Sequence, residues 1–188
     1  MVFVTVLSLL LKHARRRDIG AVESLLHNVS LAHVCEPCRL PLRVTTFEEV
    51  YRDRDVAVGL FFLPRGSSIP PHDHPGLTVR GRVLLGRVRV ATWRGNASTR
   101  ATLDARSVLR VDATHDRVVH SVHALGRTAV LLDVLMPPYS RPCTYYRETA
   151  DGSVERAPTR LFRIRTRPHR GPVAERSPLD RSHARSTA

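Results

Sequence analysis

The spacing of hydrophobic residues changes near Leu42, from a helical period to short runs with the alternation that is typical of strands. Before that point, Val22, Leu25 and Leu26 recur at helical spacing within "DIGAVESLLHNVSLAHV". The apolar start of the chain leads into basic residues that suit the carboxyl end of a helix. These patterns predict a first helix at the start of the chain and a second over that stretch.

Short apolar runs separated by Gly, Pro, Asn and Asp follow, namely "LRVTTF", "VAVGLFFLP", "LTVRGRVLLGRVRVATW", "ATLDARSVLRVDA", "VVHSVHAL" and "AVLLDVLMP". In the third run, apolar residues alternate with arginines around Gly86, which predicts a hairpin with one face in water. Several short strands without helical patterns between them predict a mainly β domain, an antiparallel sandwich or barrel.

The composition predicts three parts along the chain. Residues 1–40 form an N-terminal helical segment packed on the β domain, and residues 41–165 form that domain. Residues 166–188 are basic and have no apolar period, so we expect a tail that is disordered or draped over the surface.

The charge is strongly positive, with thirty Lys and Arg against seventeen Asp and Glu and a net charge of +13. Such a surface attracts nucleic acid or acidic partners through a salt-sensitive Coulomb attraction. Because the arginines are scattered and aromatic residues are few, we do not expect nucleic acid as the physiological ligand. The apolar N-terminal run is too short to span a bilayer and lacks the features of a secretory signal. We expect a monomer without a membrane partner.

Three cysteines argue against a disulfide framework and for a reducing compartment, the cytoplasm or the nucleus. Cys35 and Cys38 form a Cys-x-x-Cys pair, which is half of a structural zinc site. His33 offers a third ligand, but no fourth is evident, so we interpret the pair as two incidental thiols.

Two histidines stand one residue apart in "IPPHDHPG". Residues two apart in a strand point the same way, so His72 and His74 can present both imidazoles to one point. The prolines around them stiffen the segment. Two surface histidines in a turn would give the same pattern, so the pair alone leaves both readings open.

The wider spacing of the segment resembles the first cupin motif, from Gly66 through the two histidines to Val79 and Gly86. Cupins commonly carry a glutamate ligand after the His-x-His pair, whereas Thr78 and Val79 occupy the candidate positions here. We therefore expect a site of three neutral histidines, which leaves a bound Fe(II) with its full positive charge.

The third histidine comes from "HDRVVHSVHALGRTAVLLDVLMPPYS", which offers His115, His120 and His123. Together with "IPPHDHPGLTV", the stretch "VVHSVHALGRTAVLLDVLMPPYSRPCTYYRE" resembles the thiol dioxygenases of the 2-aminoethanethiol dioxygenase and plant cysteine oxidase family. In animal members of that family, the third ligand stands about thirteen residues before the aspartate of "LDxLxPPY", which implies His120. His123 would face the opposite way along the same strand, and His115 lies in a predicted turn.

The resemblance implies a cupin-type antiparallel β-barrel, the double-stranded β-helix or jelly roll, with short N-terminal helices. It implies that His72, His74 and His120 hold Fe(II). The implied reaction joins O2 to the thiol of an aminothiol or of an N-terminal cysteine, and it gives a sulfinic acid. The cysteine of a protein is our preferred substrate, which would make the enzyme an oxygen sensor, and cysteamine is the alternative. Two readings of another class are a non-enzymatic metal-binding cupin and a basic nucleic-acid-binding module.

Four further residues take roles from the resemblance. Asp133 and Tyr139, of the segment "LDVLMPPY", would line the substrate pocket. Asp133 would contact a ligand imidazole or the substrate amine, and Tyr139 would position substrate or oxygen. Animal members of the family can link a Cys-x-Tyr pair by a thioether, which implies a cross-link between Cys143 and Tyr145. Since the loop between "PPYS" and "CTYY" is shortened, the resemblance constrains the metal more than the substrate.

Overall fold

The computed structural model describes residues 2–34, 43–95, 97–113, 117–158 and 164–168. Three helices come first: α1 Val2–Arg15, α2 Ile19–Leu26 and α3 Leu31–Val34. Asp18 caps α2 by accepting a hydrogen bond from the N–H of Ala21 at 3.1 Å. The predicted second helix is therefore divided, because a turn separates α2 from α3. Within the described ranges, no helix is long and apolar enough to cross a bilayer.

The rest of the described chain consists mainly of strands, which are β1 Thr46–Arg52, β2 Ala57–Leu63, β3 Ser68–Asp73, β4 Thr78–Arg94, β5 Ala97–Asp104, β6 Val108–Asp112, β7 Val118–Met136, β8 Tyr146–Glu148, β9 Val154–Arg156 and β10 Arg165–Pro168. The main sheet has the order β10-β1-β2-β7-β4-β5, with β3 added to β7 and β6 added to β4. Its neighbours are antiparallel, except that β10 runs parallel to β1. The predicted antiparallel β architecture is confirmed, although the described strands form an open sheet rather than a closed barrel.

Two long strands carry the chain through both layers of the sandwich. The first half of β4 pairs with β6 and its second half with β5, while β7 pairs first with β3 and then with β2. The predicted hairpin at Gly86 is wrong, because both halves of β4 pair with β7 as one strand. Gly86 has a φ of +75°, and the register shifts around it. It accommodates a bulge that bends the strand.

Alternate residues of β7 point into two different cores. Val130, Leu132 and Val134 pack against the helices, whereas Leu131 and Leu135 pack inside the sandwich. Both faces of this half of the strand are therefore buried, which explains its nearly continuous run of apolar residues.

The helices cover the sheet face that we expected to be wet. Arg80 of β4 is only 6% exposed, and its Nε donates to Glu23 of α2 at 2.7 Å. Its two terminal nitrogens donate to the carboxylate of Asp112. The alternating arginines of β4 thus include a buried residue whose charge is paired, and the expectation of one solvated face is wrong for this half of the strand.

Several expectations fall outside the described residues. Cys35, Cys38 and His115 lie there, as do residues 169–188 of the expected tail. Strand β10 ends at Pro168, three residues beyond the expected end of the β domain. The division of the chain into three parts stays a prediction.

Candidate metal centre

Three buried histidines meet where β3 pairs with β7. His72 lies in β3 and pairs directly with His120 of β7, and His74 follows the end of β3. One ring nitrogen from each of the three lies within 4.8 Å of the others. The exposed fractions are 7%, 3% and 1% for His72, His74 and His120 respectively. The structure therefore brings together the three histidines that the resemblance singled out, as a cluster that can hold a metal ion.

Hydrogen bonds orient two of the three rings. The Nδ1 of His72 lies 2.8 Å from the carbonyl oxygen of Pro70, so this nitrogen carries the proton and donates it. The Nδ1 of His74 contacts the hydroxyl of Tyr139, which in turn donates to the carbonyl oxygen of Asp73 at 3.0 Å. With both Nδ1 atoms engaged as donors, the Nε2 lone pairs remain for the centre.

Burial keeps the three imidazoles neutral. It lowers the pKa of His72, and it lowers the pKa values of His74 and His120 well below their ordinary range. A neutral imidazole offers a nitrogen lone pair, which is the form that binds metals. The described cluster contains no carboxylate, as the missing glutamate of the cupin motif predicts.

The contacts within the cluster fit a bound cation. The Nε2 atoms of His74 and His120 are 2.7 Å apart, and two lone pairs at this distance repel unless a proton or a cation lies between them. The Nδ1 of His120 is buried and has no hydrogen-bond partner among the described residues. A metal ion coordinated by the cluster would engage the Nε2 lone pairs and remove their repulsion, while the Nδ1 of His120 would stay without a described partner.

Asp73, between the two ligand candidates, fastens the neighbouring loop to β3. Its Oδ1 accepts from the backbone N–H of Thr144 at 2.7 Å, and its Oδ2 accepts from the hydroxyl of Tyr146 at 2.9 Å. Its own N–H donates to the carbonyl oxygen of Thr144 at 3.1 Å. Asp73 was not predicted from the sequence, although an aspartate enclosed by two histidines in a proline-rich strand is itself an unusual feature.

A cavity of about 350 Å³ opens beside the histidines. Its wall is formed by His72, His74 and Ile69, by the loop residues Tyr139, Cys143 and Tyr145, and by side chains of β1, β2, β7 and β10. A volume of this size is in the range that holds a small ligand or the end of a peptide. The residues of β1 and β2 in this wall were not predicted, because they reach the site only through long-range strand pairing.

Asp133 projects into the cavity from β7. Its Oδ1 is buried and has no hydrogen-bond partner among the described residues, and burial raises the pKa of its carboxyl to about 7. It pairs with Gly59 on one side and Gly81 on the other, and a Cβ at Gly81 would overlap its Oδ1. The described contacts join Asp133 to none of the three histidines. Among the described carboxyls of the cavity wall, it alone has no described partner, since Glu49 is paired with Arg52.

The loop after β7 places three predicted residues in the cavity wall. The hydroxyl of Tyr139 contacts His74, as described above, and its ring stacks on that imidazole with centroids 5.4 Å apart. The Cys143 thiol is hydrogen-bonded to the Tyr145 hydroxyl, and the Tyr145 ring centroid lies 6.2 Å from that of His72. Burial raises the pKa of Cys143, and it raises the pKa of Tyr145 to about 12. The thiol and the phenol are thus both protonated neighbours close to the histidines.

The remaining described candidate lies apart. His123 pairs with Ser68 of β3, three residues beyond His120, and it does not join the histidine cluster. An odd separation along a strand places the two side chains on opposite faces, as the sequence predicted.

Known proteins share both sequence and fold with this chain. The PCO_ADO family model matches residues 10–113, more than half of the chain. The chain is 31% identical over 122 residues to plant cysteine oxidase 1 of Arabidopsis thaliana, an alignment of 55% of this chain and 41% of the relative. It is 28% identical over 147 residues to 2-aminoethanethiol dioxygenase of Mus musculus, covering 60% of this chain and 57% of the relative. The chain thus spans about half the length of the relatives it matches.

A solved 11S globulin from Wrightia tinctoria superposes with a TM-score of 0.50 at 13% identity, over 60% of this chain and 30% of that one, which bears on the fold alone. The cupin-type β fold with short N-terminal helices is therefore confirmed. The matched segment of the family model contains His72 and His74 and ends before His120. Because that model covers more than half of the sequence, the chain belongs to the PCO_ADO family.

Proposed function

We propose that the protein is an Fe(II)-dependent thiol dioxygenase that converts the N-terminal cysteine of a peptide or protein to cysteine sulfinic acid. The observation that carries this proposal is the cluster of three buried, neutral histidines, of which His72 and His74 line a cavity that also contains the Asp133 carboxyl, whose Oδ1 has no described partner. In the proposed reaction, R–SH and O2 give R–SO2H, so both oxygen atoms become bonded to sulfur. Sulfur supplies all four electrons that O2 accepts, and no further reductant is needed.

In this proposal His72, His74 and His120 hold the iron through their Nε2 atoms. Fe(II), when bound, supplies the positive charge that favours a thiolate and the redox activity that O2 requires. The carbonyl of Pro70 and the hydroxyl of Tyr139 fix the tautomers of two of the rings. Tyr139 thus acts first as a positioning residue for His74, rather than through a contact with oxygen.

Asp133 is proposed to bind the substrate amine. With a pKa of about 7, its carboxyl can ionise at neutral pH, and an ammonium group would supply the missing partner. A thiol two carbons from an amine can then reach the histidines and Asp133 from within one cavity. This requirement favours aminothiols over thiols that lack an amine.

Cysteamine is the second candidate substrate, because it carries the same thiol and amine and because one relative is named 2-aminoethanethiol dioxygenase. The cavity of about 350 Å³ exceeds what so small a molecule fills, which favours the end of a peptide. If a protein is the substrate, oxidation of its terminal cysteine would report on O2. We also propose a monomer that acts in the cytoplasm or nucleus, a compartment whose reducing conditions suit the three cysteines of the chain.

The test uses anaerobically purified protein that has been loaded with Fe(II). After exposure to air, mass spectrometry of a Cys-initiated peptide should show the addition of two oxygen atoms. Cysteamine is assayed in parallel, and a Ser-initiated peptide serves as the negative control. Oxidation of neither thiol would refute the dioxygenase and leave a non-enzymatic cupin, whereas salt-sensitive RNA binding without O2 uptake would favour a nucleic-acid-binding module.

Metal content tests the ligand assignment separately from activity. His120→Ala should reduce bound iron to a small fraction of one per chain, whereas His123→Ala should retain it. The two histidines lie in the same strand, but only His120 belongs to the cluster. Iron lost from the His123 variant and kept by the His120 variant would overturn the assignment.

We also propose that Cys143 and Tyr145 form a thioether. The thiol already contacts the phenol hydroxyl next to the histidines, so sulfur lies beside the ring. Forming the bond removes two hydrogens, which O2, the co-substrate of the proposed reaction, would accept as hydrogen peroxide. Intact-protein mass spectrometry after turnover should show a loss of two mass units that Cys143→Ser abolishes, and an unchanged wild-type mass would contradict the proposal.

A further inference from the structure

The cavity has an aromatic floor, by which we mean the side chains of Phe47 and Phe61. Phe47 of β1 and Phe61 of β2 are directly paired across the strands, and their ring centroids are 4.9 Å apart. Both rings line the cavity and are only partly buried, as is Ile164 before β10. Aromatic surface that is left partly open inside a cavity favours an apolar ligand group.

Two charged side chains of the cavity wall, Glu49 and Arg52, form an ion pair that we call the rim. Glu49 and Arg52 also line the cavity, and the Arg52 Nε lies 2.8 Å from a Glu49 oxygen. The register shift after Glu49 is what turns Arg52 to the same side of β1 as Glu49. Arg52 is the only cation among the described residues that line the cavity, and it already has its counter-ion. A ligand carboxylate, such as that of free cysteine, would therefore find no unpaired cation there.

Asp133 and the aromatic floor are immediate neighbours. Gly59 pairs with Asp133 on β7 and with Glu49 on β1, so it occupies the strand between them. The ring of Phe47 lies over Gly59, and a Cβ at that position would overlap the ring. The aromatic surface thus fills the space beside the carboxyl that we assign to the substrate amine.

We propose that Phe47 and Phe61 form a subsite for an apolar side chain at the second position of a Cys-initiated peptide. The assignment rests on the proposed function, which puts the thiol at the histidines and the amine at Asp133. One residue of extended chain spans about 3.3–3.6 Å. With the substrate amine at Asp133, the side chain of the second peptide residue would therefore lie over the rings of Phe47 and Phe61. The substrate class is therefore a protein whose terminal cysteine precedes a bulky apolar residue.

Kinetics with matched peptides test the subsite. Peptides that begin Cys-Leu, Cys-Gly and Cys-Asp and are otherwise identical are compared by kcat/KM on the iron-loaded enzyme. We expect Cys-Leu to exceed Cys-Gly by about tenfold or more, since an apolar pocket discriminates side chains on this scale. Cys-Asp should fall below Cys-Gly, because its carboxylate would meet the paired rim. Equal values for Cys-Leu and Cys-Gly would overturn the subsite and leave the dioxygenase intact.

A variant locates the preference on the aromatic floor. Phe61→Ala should bring the ratio of Cys-Leu to Cys-Gly close to one. Leu9→Ala is the matched control, since Leu9 is a partly exposed apolar residue of α1 that lies outside the cavity, and it should keep the wild-type ratio. A preference that survives in the Phe61 variant would place the selectivity elsewhere and contradict the assignment.

Binding without turnover separates the subsite from the chemistry. Titration calorimetry with Ser-Leu and Ser-Gly peptides should show tighter binding of Ser-Leu by the wild type and not by Phe61→Ala. If no thiol is oxidised but this difference in binding is found, the subsite stands and the dioxygenase function fails. If both peptides bind equally, the subsite fails whatever the enzyme does.

Discussion

The buried carboxyl of Asp133 predicts a specific dependence of stability on pH. Burial raises the pKa of Asp133 from its ordinary value of 3.8 to about 7 in the metal-free fold. Between these values the folded state keeps a proton that the unfolded state releases, so the free energy of unfolding falls as the pH rises. The penalty is absent below the unfolded pKa and complete above the folded one. A pKa difference of about 3 corresponds to about 4 kcal/mol.

Asp133→Asn removes the ionisation and keeps the shape of the side chain. The free energies of unfolding are measured by urea titration with a metal chelator present, at pH 5 and at pH 8. From pH 5 to pH 8, we expect the variant to gain about 2–3 kcal/mol relative to the wild type, because only the wild type must bury the charge. An amide that lacks a partner costs stability too, but that cost does not depend on pH.

The exposed Asp151, whose pKa is shifted in the opposite direction from that of Asp133, provides a control. Hydrogen bonds from the Thr149 hydroxyl and from Ser153 lower the pKa of Asp151 to about 2, so it is ionised in both states between pH 5 and pH 8. The effect of Asp151→Asn should therefore be the same at both pH values. If the effect of Asp133→Asn on the free energy of unfolding is also the same at pH 5 and pH 8, this carboxyl is solvated or paired, and our account of the site is refuted.

Two further predictions concern the residues that support the site. Tyr139→Phe removes the hydroxyl that contacts His74 and thereby orients its ring. The metal affinity measured by titration calorimetry should therefore fall about tenfold to a hundredfold. Unchanged affinity would contradict the positioning role. Gly81→Ala should cost about 1–3 kcal/mol in urea unfolding, because its Cβ would overlap Asp133. Gly20→Ala, in α2 with no atom near the new Cβ, should instead be neutral or stabilising, and equal losses would refute the overlap.

The sequence predicted the elements better than their connections. Alternation and punctuation correctly indicated short antiparallel strands, and the two histidines of β3 could be read directly from their spacing. The bend of β4 could not, because a glycine between two alternating runs is equally compatible with a tight turn and with a bulge. Only the pairing of both halves with β7 decides between them, and that pairing joins residues 58 positions apart at one end of β4, Thr78 and Met136, and 24 apart at the other, Arg94 and Val118.

The choice of His120 also depends on strand pairing that the sequence does not specify. The residues alone left three histidines open, and only the resemblance, through the distance to Asp133, singled out one of them. In the structure, that choice has a local cause, because His120 is the direct cross-strand partner of His72. The register of β3 against β7 thus brings the ligands together, and no spacing within either strand alone specifies that register.

The shape of the cavity depends on residues that have no chemistry of their own. Glycine in the interior of a strand weakens it, so Gly59 and Gly81 need a reason to stand there. They flank Asp133 on its two neighbouring strands, where a Cβ at one would overlap the Phe47 ring and at the other the Asp133 carboxyl. The missing side chains leave the space in which both groups lie. A motif that is read from reactive residues cannot show this, because the two glycines become neighbours of Asp133 only when β2 and β4 pair with β7.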